Sequence, residues 1–323
     1  MEGTLETRFT SEFGFDVPIV QGGMGGAAGP DLVAAVANAG GLGILPIWPD
    51  TPEAAKASIE HTQKRTTKAF AVNLRSDLEQ TALIETAANA GVRLFNLFWG
   101  SPAKSMPAIE ACDGRLIATI GDLASAKEAV DLGAAALIAQ GVEAGGHVLG
   151  ETLRDELLAQ VVSESFGVPI IAAGGLATAS DVSHVLSLGA DAALFGTRFV
   201  VAQESIAHPE YKNAIISAPS GATVRTTCFD GFWPNAPHRV IRNSTFQVWD
   251  EAGQPSEGHR PGEGDPILTF PNGSSFPRYF VATPSIGMSG DIEASAMYAG
   301  EGLGEIQQVQ PAAEIIAELV EGL

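Results

Sequence analysis

Eight short apolar segments, each separated from the next by enough chain for a helix, constrain the fold of residues 1–208 more than any other feature. The segments are rich in Val, Ile and Ala and do not alternate with polar residues, as expected for strands buried on both faces of a parallel sheet. Their spacing, mostly about 20 to 30 residues, leaves room for one crossover helix in each gap. The predicted strands are Pro18–Gln21, Gly43–Pro46, Ala69–Leu74, Leu94–Trp99, Arg115–Ile120, Ala136–Gln140, Pro169–Ala173 and Ala192–Phe195.

A short motif ending in glycine precedes every second predicted strand. It reads NAG at 38–40 and 89–91, DLG at 131–133 and SLG at 187–189. Glycine accepts the left-handed backbone conformation that ends a helix, so each motif predicts a helix-to-strand junction. The segments FGFDVPIVQGG and FGVPIIAAGG also place the first and seventh strands in similar settings. This repetition favours a closed (β/α)8 TIM barrel, in the α/β class, over an open doubly wound sheet.

The chain changes character after residue 208. A helix is predicted from Pro209, and residues 225–285 are rich in Pro, Gly, Trp and Arg without a helical period. The segments ILTF and FPRYF flank Asn272-Gly273, which predicts a β-hairpin. We interpret 1–208 as the barrel and 209–300 as an inserted lid or second domain, whose aromatic content argues against a disordered loop. Residues 301–323 would return to the barrel and end in an amphipathic helix.

The charge balance limits the partners of this protein. Asp and Glu number 38 against 18 Lys and Arg, a net charge of −20 that repels nucleic acids and anionic membranes. No apolar run approaches the roughly 18 residues of a membrane span, and the amino terminus lacks signal-peptide features. We therefore expect a cytoplasmic protein that could form a homodimer. No zinc motif or Cys/His cluster is present, so no metal is predicted.

Glycines cluster where four of the predicted strands end, and the carboxyl ends of barrel strands are where active sites lie. A single Gly-Gly pair fits a tight turn or close helix packing equally well. The pairs after the seventh and eighth strands, however, coincide with the usual phosphate site of such barrels, where backbone amides hold the anion. Asn73 ends the third strand within the apolar run AFAVNL. Its amide either caps the next helix or contacts a ligand.

His147 follows Glu143-Ala144-Gly145-Gly146 at the end of the sixth strand. Imidazole exchanges a proton near neutral pH or donates a hydrogen bond to a developing anion, so we favour a catalytic role. The alternative is a histidine that is hydrogen-bonded within its own loop. Of the other histidines only His238, in Pro-His-Arg, is placed where it could reach a site.

Several motifs together resemble the nitronate monooxygenase family, formerly called 2-nitropropane dioxygenases. They are PIVQGGMGG, AVNL, AQGVEAGGH, PIIAAGG, LFGTRF and MYAGEGLGEI followed by PAAEII. The resemblance implies a TIM barrel with a smaller second domain, a non-covalent FMN and no metal. It also implies oxidation of alkyl nitronates, and of nitroalkanes in some members, by O2 to carbonyl compounds and nitrite.

The resemblance also implies a role for each matched residue. His147 would position the nitro oxygens and abstract the α-proton of a neutral nitroalkane. Asn73 and Gln140 would hydrogen-bond the flavin. Backbone near the flavin ring and its phosphate would come from Gly22, Gly23, Met24, Gly145, Gly146, Gly174, Gly175, Leu194, Phe195, Gly196 and Thr197.

Two alternatives remain open at this stage. An FMN-dependent enoyl-acyl-carrier-protein reductase carries a similar EAGGH loop, but it needs NAD(P)H and docks an acidic carrier that a chain of this charge would repel. A flavin-binding barrel without turnover is the other.

Overall fold

The computed structural model describes residues 5–323, in which eight parallel strands close into a barrel. Each strand pairs with the next, and the eighth pairs with the first through Ala193 and Ile19. The predicted TIM barrel is therefore confirmed. The strands are β1 (Ile19–Gln21), β2 (Leu42–Pro46), β3 (Ala71–Arg75), β4 (Leu94–Phe98), β5 (Arg115–Ile120), β6 (Ala136–Gln140), β7 (Ile170–Ala173) and β8 (Ala192–Phe195).

Helices fill the gaps between strands, and local sequence sets their ends. Thr51, Asp122 and Thr178 are N-caps whose side chains accept a backbone N–H of the first turn. The four junction glycines all have positive φ, between 91° and 98°, as the repeated motif predicts. The barrel helices are α1 (Arg8–Phe13), α2 (Pro30–Asn38), α3 (Pro52–Gln63), α4 (Thr81–Asn89), α5 (Met106–Ala111), α6 (Leu123–Asp131), α7 (Arg154–Ser163), α8 (Ala179–Ser187) and α9 (Thr197–Val200).

One end of the barrel is sealed. Phe9 of α1 and Phe15 are buried with the inward-facing side chains of the strands, and their rings stack 5.3 Å apart. Phe9 also stacks on Phe13, over which the guanidinium of Arg115 lies. Because this plug covers the amino ends of the strands, the open end of the barrel is the carboxyl end, where the glycine-rich segments lie.

The segment after the barrel contains more regular structure than its sequence predicts. The helix from Pro209 (α10, Pro209–Ser217) and the hairpin of Pro266–Thr269 with Ser275–Pro277 are confirmed, and Ser289–Gly290 adds a third strand. The prediction that residues 225–285 contain no helix is wrong, because Ser244–Glu251 forms α11. Asn243 caps that helix through Phe246 N–H (3.0 Å), a signal that the sequence does contain.

A second small sheet ties this segment to the barrel. Strand His238–Ile241 pairs with Thr223–Thr226 on one side and with Gly146–His147, in the loop after β6, on the other. His147 thus lies opposite His238 in the ladder. The sequence does not predict these pairings, and the one with the loop after β6 joins residues about 90 positions apart, so it follows from tertiary packing.

The chain ends on the outside of the barrel. Helix α12 (Ala312–Leu319) packs against α2 and α8, as predicted. The guanidinium of Arg198, from α9, donates to Gln310 and pairs with Glu318, both at 2.6 Å. Along residues 5–323, no helix is long and apolar enough to cross a membrane.

Candidate functional site

A cavity of about 690 Å³ opens at the carboxyl ends of the strands. This volume falls in the range of cofactor and substrate sites. Predicted site residues from five strand ends meet in its wall: Gly22, Gly23, Met24, Asn73, Gln140, Gly145, Gly146, His147, Gly174, Gly175, Leu194, Gly196 and Thr197. Phe195 differs, because its side chain is fully buried between the barrel and its helices. Its contribution is structural, since its carbonyl accepts the N–H of Gly22 (3.0 Å).

Free backbone donors line the part of the cavity beneath β7 and β8. The N–H groups of Gly175, Leu176 and Gly196 have no hydrogen-bond acceptor among residues 5–323, although these residues line the cavity wall. Unpaired backbone donors in a concave site are suited to an anion such as a phosphate. Gly174 and Gly175 have φ values of 122° and 68°, which other residues rarely adopt. A chain of net charge −20 would need local donors of this kind to hold an anionic ligand.

The loop after β6 is held by side chains on both sides. Gln140 donates to the carbonyl of His147 and accepts from Leu149 N–H, both at 3.1 Å. Glu143 accepts the backbone N–H of Arg154 (2.9 Å), and Arg154 donates to the carbonyl of Gly174 (2.9 Å). Gln140 therefore positions the His147 loop, and its contact with a flavin remains a prediction.

The two glycines before His147 are required for different reasons. A Cβ on Gly145 would lie 2.5 Å from the backbone nitrogen of Gly300. The missing side chain therefore lets the backbone near Gly300 pack closely against the loop after β6. Gly146 has a φ of 78°, and a Cβ there would meet no atom within 4 Å. Only Gly146 therefore leaves open space on the cavity side.

A row of polar side chains crosses the cavity floor. Asn73 donates to Asn96 Oδ1 (2.9 Å), and Asn96 donates in turn to Thr119 Oγ1 (3.0 Å). All three residues line the cavity. The helix-capping alternative for Asn73 is wrong, because α4 begins at Thr81 with Gln80 as its cap residue. Asn96 and Thr119 were not predicted, since polar residues within β4 and β5 carry no distinctive motif.

The half-buried side chain of His147 lines the cavity, and one of its ring nitrogens is buried without a partner. Its Nε2 has no hydrogen-bond partner among residues 5–323. The alternative reading, a hydrogen bond within the histidine's own loop, is therefore wrong for this nitrogen. Burial lowers the pKa of His147 well below its usual value, and the nearby His238 and Arg75 lower it further. The imidazole is therefore neutral at pH 7, and a neutral imidazole can accept a proton.

Aromatic rings surround this imidazole. Trp233 stacks on it, with ring centroids 3.9 Å apart and planes 20° apart, and Trp99 approaches edge-on at 6.0 Å. The guanidinium carbon of Arg75 lies 3.3 Å from the centroid of Trp233. Sequence reasoning missed Trp233 and Arg75: the first comes from an irregular segment, and the second ends β3 two positions after Asn73.

His238 lies beside His147, with ring centroids 5.3 Å apart. Both of its nitrogens are used: Nδ1 donates to the carbonyl of Ala236 (2.9 Å), and Nε2 accepts the N–H of Phe229 (3.2 Å). Burial lowers its pKa to about 4. His238 therefore contacts His147 as a neutral structural neighbour, but it does not line the cavity.

The outer wall of the cavity is apolar. The segment after the barrel contributes aromatic side chains to it, and Phe276 and Phe280 stack 4.5 Å apart with planes only 10° apart. The aromatic residues of this wall are Trp48, Phe98, Phe232, Trp233, Phe270, Phe276 and Phe280. Such a wall excludes water and favours apolar ligands. Within residues 5–323 no group of three or more His, Cys, Asp or Glu side chains is arranged to hold a metal.

Comparison with known proteins identifies the family. The family model for nitronate monooxygenase matches residues 6–97 and 84–322. The chain is 34% identical to the (3aS,4S,5R,7aS)-5-hydroxy-7a-methyl-1-oxo-octahydro-1H-indene-4-carboxyl-CoA dehydrogenase of Mycobacterium tuberculosis, over 79% of this chain and 71% of that protein. It is 29% identical to a nitronate monooxygenase of Pseudomonas aeruginosa, over 99% of both.

Solved structures share the fold of this chain. FabK from Thermotoga maritima superposes with a TM-score of 0.83 at 29% identity, covering 98% of this chain and 96% of that one. A nitroalkane oxidase from Streptomyces ansochromogenes gives a TM-score of 0.77 at 25% identity, covering 98% of both chains. With a barrel and a glycine-lined cavity whose wall includes a half-buried histidine, the chain belongs to the nitronate monooxygenase family of flavin oxidoreductases.

Proposed function

We propose that this protein oxidises alkyl nitronates with O2, using bound FMN and His147, and that it also accepts neutral nitroalkanes. The single observation that carries this proposal is that His147, whose ring has no hydrogen-bond partner for Nε2 among residues 5–323, lies in the wall of a glycine-lined cavity. A base of this kind is needed to remove the α-proton of a nitroalkane. A nitronate has already lost that proton and needs only to be bound and oriented.

The residues present fit FMN. The free N–H groups of Gly175 and Gly196 match a phosphate, and Gly146 leaves the adjoining space open. Asn73 offers an amide on the cavity floor. When bound, FMN would supply the electron acceptor for the substrate and pass electrons to O2. We propose that the remaining matched residues line the cofactor as the family resemblance implies, and that 209–300 is a second unit covering it.

Within this site the protein's own groups have distinct tasks. The imidazole of His147 would accept the α-proton of a nitroalkane or hydrogen-bond a nitro oxygen. Gln140 holds the carbonyl of His147 and so fixes the loop that carries the imidazole. Trp233 and Phe276 contribute to the apolar wall that keeps bulk water away from the reacting carbon.

Anaerobic mixing with propionate 3-nitronate tests the proposal. The purified protein should be yellow with one FMN per chain, and nitronate should bleach the flavin absorbance before O2 restores it. Bleaching by NADPH but not by nitronate would favour the enoyl-acyl-carrier-protein reductase, and a flavin inert to both would favour a binding protein. A colourless protein that takes up no FMN would remove the basis of the proposal.

The aromatic wall favours a second candidate substrate. Relatives from Mycobacterium tuberculosis and Rhodococcus jostii are named for a bicyclic carboxyl-CoA, and the stacked Phe276 and Phe280 offer a flat apolar surface for a fused-ring body. We rank dehydrogenation of such a thioester second, because the phosphates of CoA would approach a chain of net charge −20. Flavin bleaching by a carbocyclic CoA thioester, and not by nitronate, would reverse this order.

A further inference from the structure

The His147 imidazole is one layer of a three-layer stack. Arg75 places its guanidinium carbon 3.3 Å from the centroid of Trp233, and His147 places its ring centroid 3.9 Å from the same point. Two groups so close to one centroid cannot share a face of the ring. Trp233 therefore lies between the cation and the imidazole, and it separates Arg75 from the cavity.

The stack is built from three distant parts of the chain. Arg75 ends β3, His147 lies in the loop after β6, and Trp233 comes from the segment that follows the barrel. Arg75 is only 4% exposed and is fixed by Asp77, which accepts from its Nε (3.0 Å) and Nη2 (2.5 Å). Cation–π contact with both Trp233 and Trp48 (5.1 Å) holds the guanidinium in place.

We propose that Arg75 is a positioning residue that acts through Trp233 to keep His147 an unprotonated base, which allows the enzyme to use uncharged carbon acids as well as their anions. This inference rests on the proposed oxidation of nitronates and nitroalkanes. Arg75 does not touch the substrate. It orients one face of the imidazole through the shared tryptophan and makes a positive charge at that ring costly.

No group around His147 opposes this effect. His238, in the strand that pairs with the His147 loop, is neutral. The ring centroid of Tyr298 lies 5.6 Å from that of His147. Burial raises the pKa of the Tyr298 hydroxyl well above its usual value, so it carries no charge either. Trp99 and Trp233 are uncharged. The one carboxylate bound to this cluster, Asp77, lies on the far side of Arg75 and is one-third exposed.

Unpaired polar atoms within the stack also disfavour a positive charge on His147. Arg75 Nη1, Trp233 Nε1 and His147 Nε2 are buried, and none finds a hydrogen-bond partner within residues 5–323. An imidazolium at His147 would therefore have neither an acceptor for its Nε2 proton nor a nearby anion, while Arg75 would repel it. These contacts agree with the lowered pKa of His147, whose causes are burial, His238 and Arg75.

Two substitutions at the stack should change the pKa of His147 in opposite directions. Arg75→Met removes the cation and keeps the length of the side chain, so the pKa of His147 should rise. Asp77→Asn removes the partner that screens Arg75, so the same pKa should fall. Arg75→Lys keeps the charge and serves as the matched control.

The experiment has a structural and a kinetic readout. NMR titration of the His147 ring in each variant, with FMN absent and present, measures the pKa directly. The pH profile of kcat/KM with nitroethane should shift its acidic limb upward in Arg75→Met and downward in Asp77→Asn. With ethyl nitronate as substrate, the same variants should leave that limb unchanged, because no proton is removed.

The outcomes separate this inference from the proposed function. Unchanged titration of His147 in both Arg75→Met and Asp77→Asn would overturn the role of Arg75, even if nitronate turnover is normal. Equal loss of activity on nitroethane and ethyl nitronate, without a pH shift, would likewise reduce Arg75 to a packing residue. If the wild-type protein oxidises neither substrate, the proposed function fails, while the NMR titration still decides whether Arg75 controls the imidazole.

Discussion

Acidification should destabilise this protein through His238, and replacing that residue by Gln should remove the effect. His238 is fully buried, and its two ring nitrogens are satisfied only in the neutral form, with Nδ1 donating to Ala236 and Nε2 accepting from Phe229. Burial lowers its pKa from 6.5 to about 4 in the folded chain. A Gln side chain offers one donor and one acceptor at similar reach and does not titrate.

The sign and size of the effect follow from linkage. Between pH 6.5 and about 4 the unfolded chain binds a proton at His238 that the folded chain refuses, so the free energy of unfolding falls as the pH falls. Above pH 7 the residue contributes no pH dependence. The difference in pKa corresponds to about 3 kcal/mol once the pH is below 4. For 323 residues, an unfolding entropy of roughly 2.1 cal/mol/K per residue turns this into about 4 °C of Tm.

Thermal unfolding from pH 7.5 to 4, followed by circular dichroism, measures the effect. The Tm of the wild-type protein should drop about 4 °C more than that of His238→Gln over this range. His147→Gln serves as a second titration control, because His147 is also held neutral by burial. Parallel Tm curves for wild type and His238→Gln, differing by less than about 1 °C at every pH, would refute the reasoning.

Three further outcomes are expected. His147→Ala should keep one FMN per chain yet slow flavin reduction by nitroethane about 100-fold or more; loss of FMN with normal turnover per bound cofactor would show that the assignment is wrong. Gly145→Ala, whose Cβ would lie 2.5 Å from Gly300 N, should weaken FMN retention as measured by flavin content after gel filtration, and a flavin content equal to that of the wild type would contradict this. Tyr211→Phe removes the hydroxyl that donates to the carbonyl of Tyr298 and should lower stability by about 1–3 kcal/mol in urea unfolding, and an unchanged midpoint would contradict it.

The barrel could be predicted because its signals are local. Apolar runs such as Ala136–Gln140 report strands buried on both faces, and a glycine such as Gly133 reports the end of the helix before each. The site could be predicted in part for the same reason, since parallel strands of a barrel bring their carboxyl ends together. Gly175 and His147 therefore share one cavity although they are 28 positions apart.

The segment after the barrel was harder to predict because its structure depends on packing rather than on periodicity. The strand His238–Ile241 exists by pairing with residues of the loop after β6, and α11 is announced only by its cap, Asn243. Trp233 lies among turns, and no sequence pattern connects it with Arg75 or His147.

By itself the sequence determined the barrel, the end at which its site lies, the histidine and the glycines that surround it, because period, turn chemistry and net charge are properties of short segments and of composition. Only the tertiary structure decided the state of that histidine. Its neutral ring depends on Arg75, Trp233 and His238, which meet it from three separate parts of the chain, and burial and distance between such groups exist only after folding.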